Sequence, residues 1–415
     1  MIISHKKCST KQIIAIIGLF LFILSVSGMK FNIPYLNGSN RVVDQLSLSS
    51  EESNSEILQE MLNVKIDEYD QQEFFTQYHY PSIQATYYAL YILDALDSLD
   101  DIDQFSLRDF LMESYDNSSG FFLDQYAKRY LDTDFSIKYY PVSSLLLTTC
   151  YAVLSLEILN FTHTIDKQTT IDFILSCYDS DVGGFCGRPI ETELHEYFVT
   201  PTLDNTYFAV ATLDLLLDSW IGYSDLKSEV ISFVNGLQLD NVYSFIDGSF
   251  YNDENSEFES LSSDEPNILS SYYGIKTLEI FDMEDSIRIN DFHTFLDNLY
   301  DDQNKFYRYS NFFVPYNNFA NVPGNALVLE LANITQYGNI NESLALDFIM
   351  NQRNELGLWK SCSEQIMYEL IDTFQIIRGL KENKHLSILN STDRSILLTS
   401  LLQYESYKGF SMEHR

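Results

Sequence analysis

An eight-residue phrase recurs along this chain, and it limits the fold more than any other feature. Thr206-Tyr207-Phe208-Ala209-Val210-Ala211-Thr212-Leu213 is echoed at residues 86–93, 149–156, 271–278, 324–331 and 373–380. Successive echoes begin 49 to 65 residues apart, which leaves room for two helices and two connections. Pro81, Pro201 and Pro266 each stand five residues ahead of an echo, and Pro141 and Pro323 precede two others. Proline is tolerated in a first helical turn because its missing N–H would be unpaired there. Each phrase is therefore predicted to open a helix that is apolar on most sides, with protein on more than one face. A second helix closes each unit, ending at residues 110–116, 173–179, 233–238, 295–301, 348–352 and 398–403. Aromatic turns follow most of these endings: Gly120-Phe121, Gly183-Gly184-Phe185, Phe306, Gly357-Leu358-Trp359 and Gly409-Phe410. The glycines supply positive φ at no steric cost.

Six helical hairpins stack either as an open solenoid or as a closed ring. An open stack needs polar caps on its end repeats, and the sixth unit runs almost to the C-terminus without one, which favours closure. Gly183-Gly184-Phe185-Cys186-Gly187-Arg188-Pro189, followed by Thr202-Leu203-Asp204-Asn205-Thr206-Tyr207, resembles the β subunits of protein prenyltransferases. More distantly it is similar to the squalene–hopene and other terpenoid cyclases. The resemblance implies an all-α fold, an α/α toroid with an inner ring of helices around a central cavity and an outer ring around that. As a repeat pattern it covers about residues 75 to 412, and the third unit carries it most closely.

In the prenyltransferases the resemblance implies a zinc site made by an Asp and a Cys two residues apart, with a His opening a later inner helix. Asp204 stands at the Asp position, but Thr206 occupies the Cys position, and the later phrase reads Asn267-Ile268-Leu269-Ser270-Ser271-Tyr272 without a His. Zinc prefers Cys and His, so no metal or other cofactor is expected. The cyclases imply an Asp-x-Asp-Asp acid. The nearest approaches, Asp100-Asp101-Ile102-Asp103 and Asp282-Met283-Glu284-Asp285, fall in connecting segments and read as solvated charge in a chain with 60 acidic residues.

Residues 1–28 join His5, Lys6, Lys7 and Lys11 to an apolar run over 13–26 and small residues up to Gly28. They read as a signal peptide or an uncleaved anchor, with cleavage favoured because the run is shorter than the ~20 residues that span a bilayer. The mature chain is then secreted or extracytoplasmic, touching a membrane only through that segment. Residues 29–75 read as a polar tether with a short helix at 55–65, and 76–415 as the toroid. A formal charge of −35 argues against nucleic acid as a partner. Cys177 and Cys186 bracket the Gly-Gly-Phe turn and form either a bridge or two buried thiols. Glycosylation triplets at Asn37, Asn117, Asn160, Asn333, Asn341 and Asn390 carry little weight in a sequence this rich in Asn and Ser.

The residue before each phrase is Ala85, Thr148, Asn205, Ser270, Pro323 or Asp372. These form a candidate polar ring above an aromatic wall of Tyr87, Tyr207, Tyr272 and Phe374, a shape suited to a ligand. They also suit the capping of helix-start N–H groups. Asp204 either orients a ligand or serves its helix dipole. The resemblance implies that Arg188 contacts a diphosphate or carboxylate, although nearby acids compete for it, and His195 reads as a surface histidine. The favoured function is a zinc-free toroid binding a peptide or lipid-like, hydrophobic ligand. The alternatives are prenyl transfer or cyclisation run by other residues, and an extracellular toroid that processes or binds glycans or proteins.

Overall fold

In the computed structural model the described residues are 81–132, 143–191, 196–240, 245–253, 266–310, 321–359, 369–405 and 409–412. The chain divides into two compact units, 1–74 and 75–415, and all described residues belong to the second. The expected signal segment, tether and glycosylation triplet at Asn37, as well as Pro141 and His195, lie outside them. In chain order the helices are α1 (Ile83–Ala95), α2 (Gln104–Glu113), α3 (Gln125–Asp132), α4 (Leu145–Ile158), α5 (Lys167–Ser176), α6 (Glu196–Val199) and α7 (Leu203–Leu216). There follow α8 (Ser224–Gly236), α9 (Ile268–Ile280), α10 (Ile289–Leu299), α11 (Asn321–Ile334), α12 (Glu342–Asn351), α13 (Glu369–Glu382) and α14 (Ser391–Leu401).

Every echo of the phrase lies in an inner helix. Helices α1, α4, α7, α9, α11 and α13 each pack on the next, and α13 packs back on α1, so the ring is closed. The seam between α13 and α1 carries an ion pair, Lys381 Nζ to Asp94 at 2.7 Å, and Phe374 stacks on Tyr88 at 4.4 Å between ring centres. Around them run α2, α5, α8, α10, α12 and α14, which bury one face only. In α10 that face is Phe292, Phe295, Leu296 and Leu299, at the spacing of one helical stripe.

One hydrogen bond, repeated in all six units, fixes each inner helix to the turn that precedes it in the ring. The N–H of Phe122 donates to Thr149 Oγ1 (3.0 Å), Phe185 to Thr206 (3.0 Å), Phe250 to Ser271 (3.2 Å) and Tyr307 to Asn325 (2.9 Å). Trp359 donates to Thr373 (3.1 Å) and Phe410 to Thr86 (3.1 Å). Each turn would otherwise bury an unpaired amide, and the side-chain oxygen removes that cost. The bond also corrects the register read from sequence. Asn325, not Gly324, opens the fifth phrase, and Phe122 and Tyr307, not Phe121 and Phe306, are the anchored aromatics.

Two residues ahead of the anchored aromatic the backbone is left-handed wherever it is described: Gly120, Gly183, Gly248, Lys305 and Gly357, with φ from 62 to 92°. The third unit's turn, Gly248-Ser249-Phe250, has the same geometry and was not foreseen. Two of the turns are short hairpins, β1 (Tyr178–Asp179) with β2 (Gly184–Phe185) and β3 (Tyr300–Asp301) with β4 (Phe306–Tyr307), paired Tyr178 to Phe185 and Tyr300 to Tyr307.

The expected first-turn prolines stand two residues ahead of the first helical position. Ser82, Thr202 and Asn267 cap α1, α7 and α9 through their side chains, so Pro81, Pro201 and Pro266 precede the cap instead of occupying the first turn. An oxygen that accepts a first-turn N–H gives more at the cap than proline can. Among the described prolines only Pro323 sits inside a first turn, that of α11. Cys177 and Cys186 are free, buried thiols directed at the carbonyls of Phe173 and Val199, so the bridge considered from their spacing is not formed. No helix among the described residues is long and apolar enough to cross a membrane.

Candidate functional site: the central hole of the ring

The hole is built in tiers by one stripe of each inner helix. Counting from the anchoring residue of each unit, the next two positions are Tyr87-Tyr88, Cys150-Tyr151, Tyr207-Phe208, Tyr272-Tyr273, Ala326-Leu327 and Phe374-Gln375. Their rings meet in the middle. Tyr87 stacks on Tyr151 at 5.2 Å, Tyr151 meets Phe208 edge-on at 4.7 Å, and Tyr207 lies 5.6 Å from Tyr273. Some contacts join helices that are not neighbours in the ring: Tyr87 of α1 reaches Phe208 of α7 at 6.4 Å. The aromatic wall is thus also a floor. Burial, before any other cause, raises the hydroxyl pKa values of Tyr87, Tyr151, Tyr272 and Tyr273.

On the N-terminal side of this floor stands Asp204, half-buried in the first turn of α7. Its charge adds to the upward shift that burial imposes on Tyr88, Tyr151 and Tyr273, residues of α1, α4 and α9, so the carboxylate faces the hole. Thr202 donates its hydroxyl to Asp204 and receives Asn205 Nδ2 at 2.7 Å, and Ser144 donates to Asn205 Oδ1 at 2.8 Å.

One turn farther along each helix the tier reads Tyr91, Leu154, Ala211, Lys276, Glu330 and Arg378. Lys276 Nζ lies 3.1 Å from Glu330 Oε1 and 2.6 Å from Glu279, and the Tyr272 hydroxyl donates to Glu330 at 3.2 Å. Burial pushes the Lys276 pKa down, but Glu330, Tyr207 and Glu279 outweigh it and the net shift is upward. The Arg378 guanidinium lies over the Tyr272 ring at 4.1 Å and near Phe374 at 5.1 Å. Its Nε and Nη2, and Glu330 Oε2, are buried without a hydrogen-bond partner among the described residues. The last tier, Asp94, Glu157, Asp214, Glu279, Asn333 and Lys381, forms a mostly acidic rim at the C-terminal ends of the helices.

Of the residues singled out from sequence, Tyr87, Asp204, Tyr207, Tyr272 and Phe374 lie on this stripe. The candidate polar ring is turned about 100° away from it, into the contacts between helices. There Ser270 donates to the Phe250 carbonyl at 2.6 Å, Asn205 joins the Thr202–Ser144 chain, and Thr148 Oγ1 has no partner among the described residues. Asp372 is buried in the first turn of α13 and acts on Tyr309. Arg188 pairs with the exposed Glu191 at 3.2 Å. The two acidic runs stay out of the hole: Asp103 caps α2, and Asp282 begins the connection after α9. The Lys276–Glu330–Arg378 tier was missed. Its signal was three charged residues five places after three successive anchors, visible only once Asn325 sets the register.

A family model, the prenyltransferase alpha-alpha toroid domain, matches residues 31–148 and 124–298, so the chain belongs to that family. Among solved structures the fold is similar to one from Candida albicans, protein geranylgeranyltransferase-I complexed with GGPP. That match has 15% identity and a TM-score of 0.49, over 77% of this chain and 91% of that one. No curated protein matches this sequence.

Proposed function

We propose that this chain is an extracytoplasmic, zinc-free member of the toroid family that holds a peptide or lipid-like ligand at the Asp204 mouth, over the aromatic floor, and does not transfer prenyl groups. The observation that carries this reading is how the hydroxyls of the first turns are used. A zinc site would need thiolate and imidazole donors beside Asp204. Thr206 instead accepts the Phe185 N–H, and Ser270 and Ser271 serve the carbonyl and N–H of Phe250. Among the described residues one half-buried carboxylate remains there, a donor set that does not fit zinc. Below the floor a long hydrocarbon would have to displace the Lys276–Glu330 ion pair and the Arg378 guanidinium, at a large desolvation cost. Flat aromatic rings with one carboxylate at their edge suit a shorter apolar group that presents a hydrogen-bond donor.

Elemental analysis of the purified full-length chain after incubation with zinc is expected to find far less than one equivalent. No prenyl transfer from an isoprenoid diphosphate to a cysteine peptide is expected. Stoichiometric zinc, or turnover abolished by Asp204→Asn in a protein that stays folded, would overturn the proposal.

A further inference from the structure

We propose that Arg378 and Lys276 form a binding site for a small α-hydroxy monocarboxylate, in the part of the hole between the aromatic floor and the acidic rim. Arg378 is 5% exposed and makes no ion pair among the described residues, although guanidinium is always charged. Its two unpaired nitrogens, Nε and Nη2, lie along one edge of the guanidinium plane. A carboxylate takes that edge with two parallel hydrogen bonds. The face of the group is already covered by the Tyr272 ring, so the edge is what remains to be filled.

Charge points the same way. The nearby Glu330 is engaged through Oε1 by Lys276 and Tyr272; it acts on Arg378 through its charge, but among the described residues no carboxylate forms an ion pair with the guanidinium. The free Oε2 of Glu330 is an acceptor in the same tier, so a ligand with a donor next to its carboxylate would complete both sets. A hydroxyl does this without placing a second cation beside Arg378 and Lys276. At the rim Lys381 and Lys276 neutralise Asp94 and Glu279, but exposed Glu157 and Asp214 make no ion pair among the described residues and repel polyanions, which favours a single negative charge over a diphosphate. Lys276, with its side chain 15% exposed, links the tier to the solvent side.

The site is separate from the Asp204 mouth and stands or falls apart from the zinc-free reading. The test is thermal shift and calorimetric titration of the full-length chain with lactate, acetate, acetamide and pyrophosphate. Lactate is expected to stabilise the protein more than acetate, and acetamide not at all. Arg378→Gln should weaken lactate at least about tenfold, the size expected for charge-assisted bonds. Lys276→Gln, at a partly exposed position, should cause a smaller loss and decides the matter if the Arg378 variant does not fold. No response to lactate, an unchanged response in the folded variants, or tighter binding of pyrophosphate would overturn the site.

Discussion

At Gly248 a single missing methyl group holds two units together. The backbone there is at φ 89°, and a Cβ would stand 2.2 Å from the Asp291 carbonyl carbon at the start of α10. Left-handed strain and backbone overlap should together make Gly248→Ala cost about 2–4 kcal/mol. Urea unfolding measures this, and a loss under about 0.5 kcal/mol would show that the turn yields. Lys305 takes the same conformation in the fourth unit, at φ 62°, with its side chain exposed to solvent. The buried thiols make a second expectation at this scale. Desolvation pushes Cys150 and Cys186 up to about 12, with Asp179 adding to the shift at Cys186. At pH 8 a disulfide reagent should therefore label them only as fast as the protein opens. Rapid labelling of the folded chain would contradict this burial. The sequence spacing of Cys177 and Cys186 allowed a bridge, but the directions of the two sulfurs were not legible from it.

Among the elements, the anchoring hydroxyl is the part that repeats most faithfully. Thr149→Val keeps the shape and strands the buried Phe122 N–H, so it should cost about 1–3 kcal/mol. The same change at exposed Thr399, whose hydroxyl serves only its own helix, should cost much less. A cycle in which the two losses match would remove the anchor's special role. The helix caps set the response to acid. Hydrogen bonds from Ser106 and Thr169 hold the Asp103 and Asp166 carboxyls below their ordinary range. A depressed folded pKa adds stability above the unfolded value, near 4, that is lost as pH falls through the folded one. Asp166→Asn keeps a cap and should flatten that part of the acid limb, as read by unfolding midpoints from pH 5 downward.

The helices themselves were readable, because phrase, proline and glycine recur together. The phase of each inner helix was not. A helix that is apolar on nearly every side, as α4 is, has no polar face to show which way it points. That is why the fifth phrase could slide from Asn325 to Gly324. It is also why the polar residues before each phrase were placed over the hole when they lie between helices.

For the whole molecule, a formal charge of −35 means that folding gathers like charges, and screening should help. Raising sodium chloride from about 20 to about 500 mM is expected to raise Tm by several degrees. A fall would show that attractive pairs such as Lys381–Asp94 outweigh the repulsion. The closed ring was legible in outline from the repeat and the family resemblance it carries, while its tiers needed the register that only the turn bonds supply. The seam joins the two ends of the repeat array. Phe410, fully buried, donates its N–H to Thr86 and accepts that of Ser82, and Ser411 bridges to Pro81. A ribosome makes Thr86 hundreds of residues before it makes Phe410. Until the sixth unit has been made, α1 must therefore wait with one flank unclaimed, and the native ring can be completed only after Phe410 emerges.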